Sequence, residues 1–206
     1  NPFKKVEVQV CSLVEKIPSG EDWVVELKYD AYRIVAFAQN GKAKLFSRNN
    51  TDFTSKFKQI AKSIEEFSAG RAMVLDGEIV ISDEQGRSDF QALQNFLKRS
   101  SDKKLAYMVF DLLALDGKDL RKRPLIERKA MLEDFLKTAP ANLVFSEHVQ
   151  GHGEKCFRVA ESLGMEGIVG KRANSSYIGG RTEDWIKLKC FKRQEFVVCG
   201  YTLTDK

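Results

Sequence analysis

Glu26-Leu27-Lys28-Tyr29-Asp30-Ala31-Tyr32-Arg33 interrupts a run, Trp23 to Phe37, that otherwise reads as β-strand. The interruption is a cation where the apolar pattern asks for none, and burying an unpaired charge is expensive. Lysine attacks an electrophile only as the free amine, and its ordinary pKa of about 10.4 keeps it protonated at neutral pH. A site that used Lys28 would have to depress that value by desolvation, by neighbouring cations or by a metal. The plain alternative is a solvated strand lysine, with Asp30 and Arg33 as a local surface pair. The octet alone does not choose between them.

Downstream, Arg33 to Gln39 and Lys42 to Ser47 alternate with period two. Asn40-Gly41 between them is the dipeptide that type I′ hairpins favour, because both positions need φ > 0. The pattern predicts a hairpin system with Lys28 at its mouth. Thr51 or Asp52 is placed to cap a helix in which Phe57, Ile60, Ala61, Ile64 and Phe67 recur at helical spacing and which Gly70 ends. Ala72 to Ser82 reads as a strand interrupted by Asp76-Gly77-Glu78. Ser88 or Asp89 opens a helix through Phe90, Leu93, Phe96 and Leu97. Leu105 to Leu115 is an apolar strand broken by one acid, Asp111, and Asp116-Gly117 turns the chain. Pro124 suits the first turn of a helix reaching about Thr138, with Leu125, Ala130, Met131 and Phe135 inward. Strands are expected over Asn142–Val149, Glu166–Arg172, Asp184–Cys190 and Glu195–Leu203, and a helix over Glu154–Leu163 ended by Gly164. Residues 1–22 carry little pattern. Single helices among many strands, without βαβ alternation, predict an α+β fold of largely antiparallel sheets flanked by helices.

The length, 206 residues, allows one large or two small domains with a substantial core. The net charge of +5 is compatible with a polyanionic partner. No apolar run reaches the ~18 residues of a membrane span, and no signal peptide follows Asn1-Pro2-Phe3-Lys4-Lys5. Cys11, Cys156, Cys190 and Cys199 form no C-x-x-C pair, and His148 and His152 complete no zinc pattern. These features predict a cytoplasmic protein with reduced cysteines and no membrane partner. The first residue is not Met, which suggests a piece of a longer chain.

Several strands break their apolar pattern with a charge: Lys28 and Asp30, Asp76 and Glu78, Asp111, Glu166 and Lys171, Lys187 and Lys189. Singly, each has a plain explanation. Asp76 and Glu78 could be a hairpin corner, Asp111 a buried hydrogen-bonded carboxylate, Lys187 and Lys189 an exposed strand face, and Lys171 the partner of a nearby acid. Together they predict a pocket lined by acids and lysines. Acids suit a divalent metal and sugar hydroxyls, and lysines suit phosphates, which is what a nucleoside triphosphate requires.

These residues carry a resemblance. Lys28-Tyr29-Asp30-Ala31-Tyr32-Arg33 resembles motif I (K-x-D-G-x-R) of the covalent nucleotidyltransferases, that is, ATP-dependent DNA ligases, RNA ligases and mRNA capping enzymes. Leu75-Asp76-Gly77-Glu78 resembles motif III, and Phe110-Asp111-Leu112-Leu113 motif IIIa. Glu166-Gly167-Ile168-Val169-Gly170-Lys171 matches motif IV, E-G-x-V-x-K, in a form that favours a DNA ligase. Trp185-Ile186-Lys187-Leu188-Lys189 resembles motif V. Phe145-Ser146-Glu147-His148-Val149, the run Tyr177 to Lys189, and Gln194 to Thr202 are similar to the ligase module of the bacterial end-joining ligase D family. Two departures stand out. Ala31 replaces the motif I glycine, so that position either has ordinary dihedrals or sits in a shifted loop. Asn50 stands where the family often has glycine, and asparagine tolerates the left-handed conformation.

The resemblance implies a nucleotidyltransferase domain over residues 1–193 and the start of an OB-fold domain over 194–206, the remainder of that domain and its motif VI being absent. It implies that Lys28 attacks the α-phosphate of ATP to form lysyl-AMP, and that the AMP passes to a DNA 5′-phosphate for sealing. By the same resemblance Glu26 accepts from the adenine amino group, Phe110 stacks on the base, and Glu78 and Arg48 hold the ribose. Arg33 contacts the ribose or the DNA 5′-phosphate, Lys187 and Lys189 contact the α-phosphate, and Glu166 and Asp30 hold Mg²⁺ or Mn²⁺. Implied partners are nicked or broken double-stranded DNA, the OB-fold domain of the parent chain and an end-joining partner protein, in a bacterial, nucleoid-associated setting. Residues 1–206 alone are expected to seal nicks poorly. Two other functions stay open here: an RNA ligase or capping-type nucleotidyltransferase, and a DNA-binding module that keeps the fold without the chemistry.

Overall fold

Asn40 and Gly41 have φ of 54° and 73°, and between them the chain reverses from β3 (Tyr32–Gln39) into β4 (Lys42–Ser47) with the register running from Ile34↔Ser47 to Gln39↔Lys42. The computed structural model describes residues 6–18, 20–81, 90–98 and 105–190. Around this hairpin the remaining elements follow in order: β1 (Gln9–Leu13) and β2 (Trp23–Lys28) before it, then α1 (Lys58–Ser68), β5 (Met73–Ile81), α2 (Phe90–Lys98), β6 (Leu105–Leu115), β7 (Lys118–Asp119), α3 (Leu125–Leu136), β8 (Leu143–Phe145), β9 (His148–Gln150), α4 (Gly153–Ser162), β10 (Gly167–Arg172) and β11 (Gly180–Lys189).

The strands form two sheets, β1-β11-β10-β2-β9 and β4-β3-β5-β6-β7, with β8 beside β6. Pairing is antiparallel except for β1 with β11 and β6 with β8, so the expected α+β architecture holds. The run Trp23 to Phe37 is not one strand system. β2 belongs to the first sheet and β3 to the second, and Tyr29-Asp30-Ala31 carries the chain across. Lys28 therefore ends a strand at a sheet-to-sheet crossing and not at the mouth of a hairpin. The single strand expected over Asn142–Val149 divides in the same way at Ser146-Glu147, β8 joining the second sheet and β9 the first.

Three apolar layers hold this arrangement. Ile34, Leu45, Leu75 and Leu112 of the second sheet pack on Ile60 and Ile64 of α1, Leu93 of α2 and Leu132 of α3. Val25, Ile168 and Ile186 of the first sheet pack with Ala160 of α4. Val8, Val35, Val74, Phe110, Tyr177 and Trp185 fill the space between the sheets. Each fully buried Val, Ile or Leu contributes about 1.5–3 kcal/mol.

Four local expectations need correction. α1 starts at Lys58 with Phe57 at the cap position and no side-chain cap. Asp52 instead accepts from the Thr54 amide at 2.8 Å, and Thr54 Oγ1 accepts from the Leu45 amide at 3.0 Å, which ties the loop to β4. β5 runs unbroken through Asp76-Gly77-Glu78, its pairing with β6 shifting register between Asp76 and Gly77. α3 buries Arg128 and Lys129 along with Leu125, Leu132 and Leu136, whereas Ala130 faces solvent. β1, inside the unpatterned first 22 residues, pairs in parallel with β11. Cys11, Cys156 and Cys190 are free thiols. The strand expected over Glu195–Leu203, the OB-fold segment 194–206 and Cys199 lie outside the described residues, as do the proposed helix starts Ser88 and Asp89. Among the described residues no helix is long and apolar enough to cross a membrane.

Candidate active site

Directly opposed residues in neighbouring strands point to the same face of a sheet. In the first sheet the register sets Glu26 opposite Val169 and His148, Lys28 opposite Gly167, Val169 opposite Lys187, Lys171 opposite Trp185, and Gly167 opposite Lys189. Period two then puts Glu26, Lys28, Lys171, Trp185, Lys187 and Lys189 on one face. In the second sheet Arg33 lies opposite Glu78, and Val35 opposite Asp76. Most of the charges that broke the strand patterns thus lie on the facing surfaces of the two sheets. Between them lies a cavity of about 610 Å³.

Of the residues singled out from the sequence, Lys28, Asp30, Glu26, Arg33, Arg48, Glu78, Phe110, Glu166 and Lys187 line this cavity, as does Lys171. Lys189 is not in the wall but reaches it through Glu166, with Nζ 3.4 Å from Oε1. Asp76 lies beneath the wall, where its carboxylate accepts from Arg33 Nε at 3.1 Å, from Arg33 Nη2 at 2.7 Å and from the Tyr177 hydroxyl at 2.7 Å. Asp111 is the buried hydrogen-bonded carboxylate of the plain alternative. It accepts from Arg128 Nε at 2.7 Å and Nη2 at 2.8 Å, and neither side chain is exposed.

At the end of β2, Lys28 Nζ donates to Glu166 Oε2 at 2.5 Å, both side chains remaining partly open to solvent. Glu166 therefore sits between two ammonium groups, Lys28 and Lys189. One layer deeper, Glu26 receives Lys129 Nζ on Oε1 and Lys171 Nζ on Oε2, each at 2.8 Å. Burial pushes the Glu26 carboxyl up, but the two ammoniums outweigh it and hold the group below the usual carboxylate range. Burial lowers Lys129, and Lys171 lowers it further, because two cations share one anion. The plain alternative for Lys171 was a partnership with a nearby acid, and Glu26 is that acid. Its Nζ also lies 4.1 Å from the Phe110 ring centre and 4.2 Å from that of Trp185.

Arg33 is spoken for. Besides Asp76 it donates to the Gln9 carbonyl at 2.6 Å, and Asp76 overcomes the penalty of burial and raises the guanidinium. Phe110 already carries the Lys171 ammonium over its ring and the Arg33 guanidinium at 5.2 Å. Glu78 is different: among the described residues no charged partner is within ion-pair distance, and burial pushes its carboxyl up to about 7 against the pull of Lys28 and Arg33. Arg48 is exposed at the rim. Ala31 is not among the residues with positive φ, so its dihedrals are ordinary, whereas Asn50 takes φ of 63°.

Among the described residues no three of His, Cys, Asp and Glu converge as a metal cage. Glu166 and Asp30 line the same cavity as hard oxygen donors, but Glu166 is held by two lysines. Two carboxylates are the share of ligands that a protein commonly gives Mg²⁺ and too few for a resident ion held by protein alone.

The sequence model of the family described as ATP dependent DNA ligase domain matches residues 4–189. The chain belongs to that family. This ligase domain is 42% identical over 195 residues to the multifunctional non-homologous end joining protein LigD of Pseudomonas aeruginosa, covering 94% of the chain and 23% of the relative. It is 34% identical to the SPbeta prophage-derived DNA ligase-like protein LigB of Bacillus subtilis, covering 91% of the chain and 68% of the relative. The mycobacterial DNA ligase D complexed with ATP and MES superposes with a TM-score of 0.77 at 30% identity, over 88% of the chain and 60% of the solved one. Chlorella virus DNA ligase-adenylate, at 17% identity and a TM-score of 0.65, shares the fold. The ligase domain thus spans about a quarter of the length of the end-joining relative.

Sequence reasoning missed Arg128, Lys129 and Tyr177 as parts of the site's support. It also missed the wall that Val10 and Cys11 of β1 and Val8 just before it provide.

Proposed function

We propose that this chain is the adenylating part of an ATP-dependent DNA ligase of the LigD type, with Lys28 as the nucleophile. The observation that carries this is the placement of Lys28. It ends its strand inside a cavity walled by carboxylates and lysines, with Nζ oriented by Glu166 and with Lys187 in the same wall. In the proposed step Lys28 Nζ, as the free amine, forms a bond to the α-phosphorus of ATP and releases a proton to solvent. The bond from that phosphorus to the bridging oxygen breaks, and pyrophosphate leaves. Lys187 and Lys189 stabilise the charge on the phosphates, which is the main contribution a protein makes to such transfers. AMP then passes to a DNA 5′-phosphate, and a 3′-hydroxyl displaces it to seal the break.

The remaining groups take roles consistent with their positions. Glu26 accepts from the base amine, and Phe110 backs the base. Glu78 and Arg48 serve the ribose, and Arg33 anchors the floor near the ribose or the DNA phosphate. Glu166 and Asp30 would hold Mg²⁺ or Mn²⁺, which would supply neutralisation of phosphate charge. The basic excess of the chain suits the DNA backbone, a contact that weakens steeply with salt. The domain boundary near residue 193, an adjoining OB-fold, a partner protein at DNA ends and a cytoplasmic, nucleoid-associated setting complete the proposal. Intact-protein mass spectrometry with ATP and Mg²⁺ tests it. An added AMP in the wild type and none in Lys28→Ala is expected. An unmodified wild type, in the chain and again with an OB-fold domain joined, rules the proposal out in favour of a binding module.

A further inference from the structure

Lys129 is buried on α3, behind the cavity wall, and two of its protons are directed. One goes to Glu26 Oε1 at 2.8 Å and one to the Ser146 carbonyl at 3.1 Å. The ammonium also lies 4.7 Å from the centre of the Phe145 ring. Its neighbour in charge, Lys171, takes the other carboxylate oxygen. An ionised carboxylate has about four acceptor sites and no donor. Two are occupied by lysines, and Glu26 lines the cavity, so what it offers a ligand is acceptor sites alone.

We propose that Lys129 is a specificity-determining positioning residue: by fixing Glu26 as an oriented, acceptor-only anion, it makes the site select a purine bearing an amino group at C6 and reject one bearing a carbonyl there. This rests on the cavity being the nucleotide site. The chemistry is a matter of complement. An exocyclic amine donates to the carboxylate, whereas a C6 carbonyl sets lone pairs against it, and a purine with hydrogen at C6 leaves an acceptor unpaired. Sites built to bond a polar group discriminate strongly against analogues that lack it. Lys171 alone does not supply the same control, because it holds only the other oxygen, Oε2, and leaves Oε1 unfixed. With Lys129 gone, Oε1 loses the only hydrogen-bond partner it has among the described residues, and the carboxylate is held through Oε2 alone.

The test is equilibrium binding of three triphosphates to the full chain: ATP, inosine triphosphate and purine riboside triphosphate. Wild type, Lys129→Met, Lys129→Gln and Lys129→Arg are compared. In the wild type ATP should bind most tightly. In Lys129→Met the preference for ATP over each analogue should fall about tenfold or more, and Lys129→Arg should restore most of it. Lys129→Gln keeps polar contact with Glu26 and the Ser146 carbonyl without the charge, and should lose the preference if Lys129→Met does not fold. A merely structural role would weaken all three ligands together and leave their ratio unchanged. An unchanged ratio in the neutral variants overturns the proposal. If wild type binds all three equally, the proposal falls while the cavity remains a nucleotide site. If wild type binds none, the nucleotide site itself has failed, and the proposal with it.

Discussion

Arg128 and Lys129 are neighbours on α3, yet they reach opposite sheets. Arg128 grips Asp111 on β6 of the second sheet, and Lys129 grips Glu26 on β2 of the first. Both cations and their partners are buried. The helix thereby fixes the spacing of the two sheets whose facing surfaces form the cavity. Removing one member of a buried pair leaves the other charge uncompensated, typically at a cost of about 3–5 kcal/mol. Arg128→Met should lose stability of that order in urea unfolding. Combining it with Asp111→Leu should recover much of the loss, because two apolar groups replace a buried pair at little cost. A double variant as unstable as the single one would show that Arg128 acts through its bonds to the Arg123 and Ser175 carbonyls instead.

Lys28 and Glu166 meet across the edge of β2 and β10 at 2.5 Å. Glu166→Gln keeps the shape of that contact but replaces a charged acceptor with a neutral amide. If the contact orients the nucleophile, the single-turnover rate of AMP attachment should fall by about a hundredfold, the cost of an ångström-scale misplacement. A wild-type rate in Glu166→Gln would remove Glu166 from the mechanism.

How much of this was legible in the sequence follows from what periodicity can report. The Asn40-Gly41 hairpin, β6 and the C-terminal ends of α1 and α4 are local features, and the residues there state their own structure. Of the cavity residues, Lys28, Asp30, Glu78, Glu166, Lys171 and Lys187 were legible as charges that broke an apolar pattern, whereas Glu26, Arg33, Arg48 and Phe110 came through the family resemblance. Arg128 and Lys129 were not legible. A helix that buries two cations has the same outward look as one that exposes them, and only the acids facing it from β2 and β6 decide the matter. The crossings at Tyr29-Asp30-Ala31 and Ser146-Glu147 were hidden for a related reason: a strand that leaves one sheet for another keeps its residue pattern. β1 was missed because its burial comes from the distant β11, 170 residues on in the case of Cys11 and Arg181.

Glu78 makes stability and ligand binding depend on pH. Its carboxyl, ordinarily near 4.5, is pushed up to about 7 by burial. Between those values the folded chain holds a proton that the unfolded chain has released. Stability should therefore fall as pH rises from about 4.5 to about 7 and level off above, by no more than about 3 kcal/mol in all. Glu78→Gln should lack that slope when its unfolding is followed across the same range. Nucleotide affinity should likewise change near pH 7 in the wild type, where Glu78 turns from a donor into an acceptor, and not in the variant.

Ala31, where the family motif has glycine, needs no glycine here, since its φ is not positive. Ala31→Gly should relieve no strain and should destabilise by about 0.4–1 kcal/mol through the freer unfolded chain. Greater stability in thermal unfolding would show that Ala31 is strained after all.

Gly167 is the glycine the site does require. It has φ of 150°, and a Cβ there would run into the Leu188 carbonyl oxygen and come within 2.9 Å of the Lys189 Cα. Both are backbone atoms of the paired strand β11 and cannot rotate away. Gly167 also lies opposite Lys28 on one side and Lys189 on the other, and it follows Glu166 directly. Gly167→Ala should cost about 1–3 kcal/mol from the backbone conformation alone, with the clash added. The displacement should fall on the two lysines and the carboxylate between them. Single-turnover AMP attachment should therefore drop further than the loss of folded protein explains, when both are measured at a temperature where the variant stays folded. A variant that loses stability but keeps the wild-type rate per folded molecule would show that β10 can shift against β11 without moving Glu166 from Lys28.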